Sequence, residues 1–201
     1  MSQKLILPIN KAKLTASIDT EAYKKAFGFR HFGSDMISTQ KDRTVYASGN
    51  GTVAATGWDN ACGNVVAVVY PGAYNRKTQK DESIAIRYFH LAAINVKMGQ
   101  RVDKNTKLGT YGMTGKYGGT GPHLHMEADA DTQYVLYTPT VTASNYLRGT
   151  SQGAVPFDDA RNTVMNVIDF MHCKPGLLDL QTYTTALDAY IHPEDRSIDK
   201  T

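Results

Sequence analysis

Between residues 45 and 127, short runs rich in β-branched and aromatic residues alternate with glycine-rich breaks. TVYAS, GTVAAT, NVVAVVY, IAIRYFHL, KLGTYG and HLHMEA read as strands. SGNG, YPGAYNRKTQKDES and GKYGGTGP between them read as turns or loops. Such regular spacing, with no long helical period, predicts a mainly β fold: an antiparallel sandwich or barrel-like sheet. DTEAYKKAFG, residues 19–28, predicts one or two helical turns stopped at Gly28.

After Ala130 the texture changes. In residues 158–172, apolar positions at 164, 165, 167, 168 and 171 follow a helical period behind Asp158 and Asp159, with KPG as the terminator. A second helix is expected from Leu177 through LQTYTTALDAYI. Residues 1–130 therefore read as one domain with its core at 28–130. Residues 131–201 read as a partly helical carboxy-terminal extension packed on the sheet, or as a connector to a partner.

Composition narrows the class without deciding it. The 201 residues are 20% charged with 17 glycines, neither disordered nor fibrous in character. A net charge of +3 with scattered basic residues gives no nucleic-acid footprint, only a weak preference for polyanionic surfaces. Cys62 and Cys173, far apart in sequence, read as two buried free thiols. No stretch approaches the roughly 18 apolar residues of a membrane span, and the apolar run near the amino terminus, broken by Pro8, is short for a signal peptide.

The candidate chemistry sits on histidines. GPHLHME places His123 and His125 on one face of a strand, with Leu124 and Met126 turned to the other, where a core can take them. Upstream, His31 and Asp35 stand four apart in HFGSD. Imidazole and carboxylate are both common zinc ligands, although Gly33 favours a loop or strand bend over a helix. A third element, His90, lies in RYFHL. Each alone reads more readily as a structural histidine.

Taken in order, HFGSD, YFHL and MGQRVDKNTKLGTYGMTGKYGGTGPHLHMEAD, threaded through GTVAATG and CGNVVAVVY, resemble the lysostaphin and LytM-type zinc endopeptidases, which cleave peptide bonds in bacterial peptidoglycan. The resemblance covers roughly residues 28–130. It implies an antiparallel sheet with an open groove, of the duplicated hybrid motif type. It implies one zinc per chain held by His31, Asp35 and His125, with His90 and His123 as catalytic histidines. Three protein ligands leave a zinc position for water, and with no His-Glu-x-x-His helix the proton acceptor would be a neutral imidazole. The resemblance leaves open which of His90 and His123 accepts the proton.

Further expectations attach to this reading. Tyr88, two before His90, either shares its face and meets substrate or packs at the groove edge. Thr114, Lys116, Tyr117 and Thr120, in the loop before the histidine pair, are expected to contact substrate. Glu127 either orients a ligand histidine or forms a simple salt bridge. The long segment 70–83 is expected to reshape one groove wall, and Asn10 is a residue whose side chain is able to reach the metal in a latent form. His172 and His192 fall outside the pattern. The expected partner is peptidoglycan, and delivery by a phage tail, by cell lysis or within a larger exported protein follows from the short apolar run. The rival readings are a non-enzymatic wall-binding or phage structural module on the same fold, and a zinc-stabilised interaction domain with a fourth protein ligand.

Overall fold

The computed structural model describes residues 1–28, 30–136 and 163–172. Among these residues, ten strands make one open antiparallel sheet: β1 (Ala12–Ala16), β2 (Ser34–Ser38), β3 (Thr44–Tyr46), β4 (Gly51–Asp59), β5 (Gly63–Asn75), β6 (Lys80–Ile94), β7 (Arg101–Val102), β8 (Lys107–Tyr111), β9 (Leu124–Asp129) and β10 (Val164–Met165). The main path runs β1-β2-β9-β6-β5-β4-β7, with β10 on β9, and with β8 bridging β3 and β6. The helix α1 (Glu21–Phe27) forms where expected. Thr20 caps it by accepting from the Tyr23 N–H, worth about 1 kcal/mol, and Gly28 closes it at φ 79°.

Alternation along the strands splits the side chains between two faces. On one face Met36, Leu124, Met126, Ala128, Ile84, Ile86, Tyr88, Val66, Val68 and Tyr70 form the main core with Leu5, Ile9 and Leu14 from the amino-terminal segment. A smaller cluster of Ala55, Cys62, Val65, Ala67, Ala85 and Phe89 fills the other face, and Val135 and Leu136 fold back over it. The amino-terminal segment carried no strand signal, yet β1 pairs with β2 and Leu5 bridges Met171.

The strand β6 changes partner along its length. It pairs with β9 from Ala85 to Phe89 and with β8 from Leu91 to Ile94. The residue between is His90, at φ 60°, and the β5–β6 register slips there. A bulge of this kind re-aims a side chain, and here it turns His90 out of the strict alternation that would have put it beside Tyr88.

Two expectations about elements are corrected. The described part of residues 158–172 is not a helix. Val164 and Met165 pair with β9, and Val167–Phe170 form a 3-10 turn capped by Asn166. The free edge of β9 beyond β2 offers ladder partners, and Val167, Ile168, Phe170 and Met171 reach the core from the turn. The remainder of that stretch, the second helix from Leu177, Cys173 and His192 lie outside the described residues. Residues 70–83, read as a loop, are mostly the paired ends of β5 and β6, interrupted by a bulge near Gly72. Their tip is tied to Asp169 and Met171 through Arg76, at the end of β6 opposite His90. Ten residues of strand, about 33 Å, separate the tip from the histidine, so it forms no wall of the groove.

Candidate metal centre and active site

His31 precedes β2 and Asp35 lies on it, while β9 pairs with β2 so that Asp35 stands opposite His125. This places His31 Nε2, Asp35 Oδ1 and His125 Nδ1 next to one another: 3.2 Å from His31 to Asp35, 2.7 Å from Asp35 to His125, 3.1 Å between the two rings. Among the described residues, these three donors are the group able to hold one metal ion.

Each remaining ring nitrogen is already engaged. The carbonyl of Ser17, which only accepts, takes the His31 Nδ1–H at 2.9 Å and leaves Nε2 for the centre. Glu127 Oε1 takes the His125 Nε2–H at 3.2 Å and leaves Nδ1. Two imidazoles and a carboxylate, oriented from behind, are a donor set zinc accepts.

The electrostatics agree. Burial alone would raise the Asp35 carboxyl, but the charges and hydrogen bonds of His31 and His125 hold it well below the usual carboxylate range. Burial would likewise lower His125, yet its hydrogen bonds to Asp35 and Glu127, with their charges, raise it to about 9.

Close approach of β2 and β9 depends on Gly33. A Cβ there would run into the Met126 carbonyl and lie 2.6 Å from His125 Nε2.

Beside the triad sit the other two histidines. The rings of His90 and His123 are 5.0 Å apart, and His90 lies 5.9 Å from His125. His123 Nδ1–H donates to the Gly121 carbonyl at 3.0 Å, and its Nε2 is 3.9 Å from Asp35 Oδ1. His90 Nδ1–H donates to the Thr114 carbonyl at 2.8 Å, which leaves its Nε2 as an acceptor. Burial, with the charge of His125 nearby, pushes His90 down to about 4. Gly112 ties the two backbones together, donating to the His90 carbonyl at 2.9 Å and accepting from the His123 N–H at 3.1 Å.

The sheet therefore brings all five predicted residues together. Tyr88 is not among them. Its side chain lies in the main core, with its hydroxyl 2.8 Å from Tyr70 Oη and 3.1 Å from Ser48 Oγ, because the bulge separates it from His90. Thr114 holds His90 and bonds Leu91 and Asn64, whereas Lys116, Tyr117 and Thr120 are exposed on the same loop. Asn10 donates to Asp42 Oδ2 instead of reaching the centre. His172 bonds the Tyr74 carbonyl far along β5. Glu127 does both things considered for it, meeting His125 and Arg87.

Sequence reasoning missed Tyr23, whose ring stacks 4.1 Å from that of His31 and whose hydroxyl burial pushes upward, as does the charge of Asp35. It missed Arg87 as well. A charged residue inside IAIRYFHL was the signal available.

This fold and this centre define a metallopeptidase-like domain. The family model for peptidase family M23 matches residues 30–136, more than half of the 201, and the chain belongs to that family. The peptidoglycan DD-endopeptidase ShyA of Vibrio cholerae serotype O1 is 39% identical over 83 residues, 41% of this chain and 16% of the relative. The glycyl-glycine endopeptidase ALE-1 of Staphylococcus capitis is 30% identical over 116 residues, 52% of this chain and 29% of the relative. The chain thus spans less than a third of the length of these curated relatives. Among solved structures, a zinc-containing peptidase from Vibrio cholerae aligns at TM-score 0.50 and 26% identity, covering 63% of this chain and 37% of that one. A chain of the SpoIIQ–SpoIIIAH pore-forming complex aligns at TM-score 0.55 and 18% identity over 85% of this chain and 92% of its own, a likeness of fold alone.

Proposed function

We propose that this chain is a zinc-dependent endopeptidase acting on peptide bonds of bacterial peptidoglycan. The observation that carries the reading is the convergence of His31 Nε2, Asp35 Oδ1 and His125 Nδ1 within 4.8 Å of one another, with two further imidazoles alongside. Family membership and the names of ShyA and ALE-1 support the substrate class. Zinc held by the three residues supplies a Lewis acid that polarises a scissile carbonyl and acidifies a water.

His90 and His123 divide the proton work. His123 is partly exposed, with its Nδ1–H held by the Gly121 carbonyl and its Nε2 turned to the centre, 3.9 Å from Asp35 Oδ1. It accepts the proton of the attacking water and returns it to the leaving amine. His90, kept neutral by burial and locked as the Nδ1–H tautomer by Thr114, presents Nε2 as an acceptor that orients the water.

Substrate enters along a groove of about 540 Å³ lined by Ile37, Ser38, Gln40, Lys41, Arg43, Tyr111 and Pro122. In its lining, Ile37 lies two residues past Asp35 on β2, and Pro122 lies one residue before His123. Lys41 and Arg43 give it a positive wall suited to the carboxylates of a stem peptide.

The test is elemental analysis of untagged protein together with turbidity loss of purified cell walls. About one zinc per chain with chelator-sensitive lysis is expected. Protein that binds zinc yet releases no peptide from several wall types would overturn the hydrolase reading and leave a binding module.

A further inference from the structure

Behind His125 lies a buried chain of charges that no step of the reaction above uses. Glu127 and Asp129 follow His125 on the same face of β9, and Arg87 on β6 stands opposite Glu127. Arg87, Glu127 and Asp129 are all fully buried. The guanidinium donates Nη1–H to Glu127 Oε2 at 3.4 Å, Nη2–H to Asp129, and Nε–H to the Val135 carbonyl at 2.6 Å. Glu127 Oε1 then accepts from His125 Nε2, and His125 Nδ1 faces Asp35. The segment that brings Val135 over this face also covers it with apolar side chains. Beside the chain, Asp59 and the buried Cys62 thiol add no cation.

Burying three charges is costly when apolar residues of similar size would fill the space. The surrounding cluster is apolar, so stability alone gives little reason for an arginine there. The charge count gives a reason. Asp35, Glu127, Asp129 and Arg87 together leave two negative charges in one hydrogen-bonded chain, which a divalent cation balances. Without Arg87, Glu127 and Asp129, two residues apart on one face of β9, would lose the guanidinium that bridges them, and Glu127 would lose its hold against His125.

We propose that Arg87 is a positioning residue for the metal. It fixes Glu127 on His125 Nε2 with Asp129 as its anchor, and thereby sets Nδ1 as the ligand atom and tunes zinc affinity. This rests on the metal reading of the site, though not on its substrate. The planar fork is required, because a lysine at 87 cannot reach Glu127, Asp129 and the Val135 carbonyl together.

The test is zinc affinity by chelator competition on the full chain, for wild type, R87K, E127Q and the double variant, with folding checked by circular dichroism. E127Q, which removes charge without adding volume, is expected to weaken zinc about 10- to 100-fold. R87K is expected to weaken it at least about tenfold, and the double variant no more than E127Q alone, because Arg87 acts through Glu127. Folded R87K with wild-type affinity, or effects that add in the double variant, would overturn the proposal. Should R87K fail to fold, nitrogen NMR of zinc-loaded wild type decides: His125 is expected to carry its proton on Nε2 and bind metal through Nδ1, and the reverse assignment sinks the idea. Wild type that binds no zinc at all would be a failure of the metal reading itself, seen before any variant is compared.

Discussion

At Gly33 the sheet has no room for a side chain. Gly33→Ala would press a methyl group against the Met126 carbonyl and the His125 ring. We expect it to destabilise the protein by about 2 kcal/mol or more and to weaken zinc binding together with it. Chemical denaturation and chelator competition on the same variant check both. The histidines separate by role. His90→Ala and His123→Ala are expected to retain one zinc per chain while turnover falls at least about 100-fold. His31→Ala, Asp35→Ala and His125→Ala are expected to lose the metal outright. Elemental analysis beside a peptide-release assay distinguishes the two groups, and loss of zinc from His90→Ala would remove it from the catalytic pair.

Among the elements, β6 decides the geometry of the site. Its stretch paired with β9 delivers Arg87 and Phe89 to the face of β9, with the Phe89 ring stacked 5.4 Å from that of His125. At His90 the strand passes from β9 to β8, and the bulge at this fork aims the imidazole at His123. The other end of the hairpin is structural. Its tip is held by Asn75 Oδ1, which accepts from the Lys77 and Thr78 N–H groups, and by Arg76 on the Met171 carbonyl. Replacing residues 76–79 with a two-residue Asn-Gly turn is therefore expected to lower the melting temperature while zinc affinity and kcat/KM stay within about twofold. A fall in kcat/KM beyond that would place the tip at the groove after all.

For the whole molecule, protons and metal compete for one buried site. In the metal-free protein His125 titrates at about 9, against 6.5 for an unperturbed imidazole. A raised folded value stabilises below pH 6.5, and that gain is lost as pH climbs from about 6.5 through about 9. His90, depressed to about 4, has the opposite sign and removes stability as pH falls from 6.5 toward 4. The melting temperature of metal-free protein should therefore peak near neutral pH and decline on both sides. Zinc should abolish the alkaline decline, since the cation replaces the His125 proton. Scanning calorimetry with and without chelator reads this directly, and an alkaline slope unchanged by zinc would contradict it. The groove adds a second global expectation. The double substitution Lys41→Gln and Arg43→Gln should raise KM several-fold for peptides bearing free carboxylates, with kcat held. Amidated versions of those peptides should be unaffected, because the attraction is ionic and screened by salt.

The sequence by itself determined the β-rich architecture and the helix ending at Gly28, because strand alternation and helix caps are strictly local. The five residues around the centre were legible only through the resemblance that HFGSD, YFHL and GPHLHME carry in combination. The same alternation put Tyr88 beside His90, and there it failed, since a strand that changes partner bulges where no local pattern marks it. Residues 158–172 misled for a related reason: a helical period in Val164, Met165, Val167, Ile168 and Met171 yielded to the open edge of β9, which only the assembled sheet supplies. Arg87 completes the contrast. Its charge was visible inside an apolar run, but whether it faced water or two carboxylates depended on the register of β6 against β9, a pairing between segments some 40 residues apart. Which nitrogen of each histidine is left free was likewise settled by backbone carbonyls and a carboxylate that other elements bring to the site.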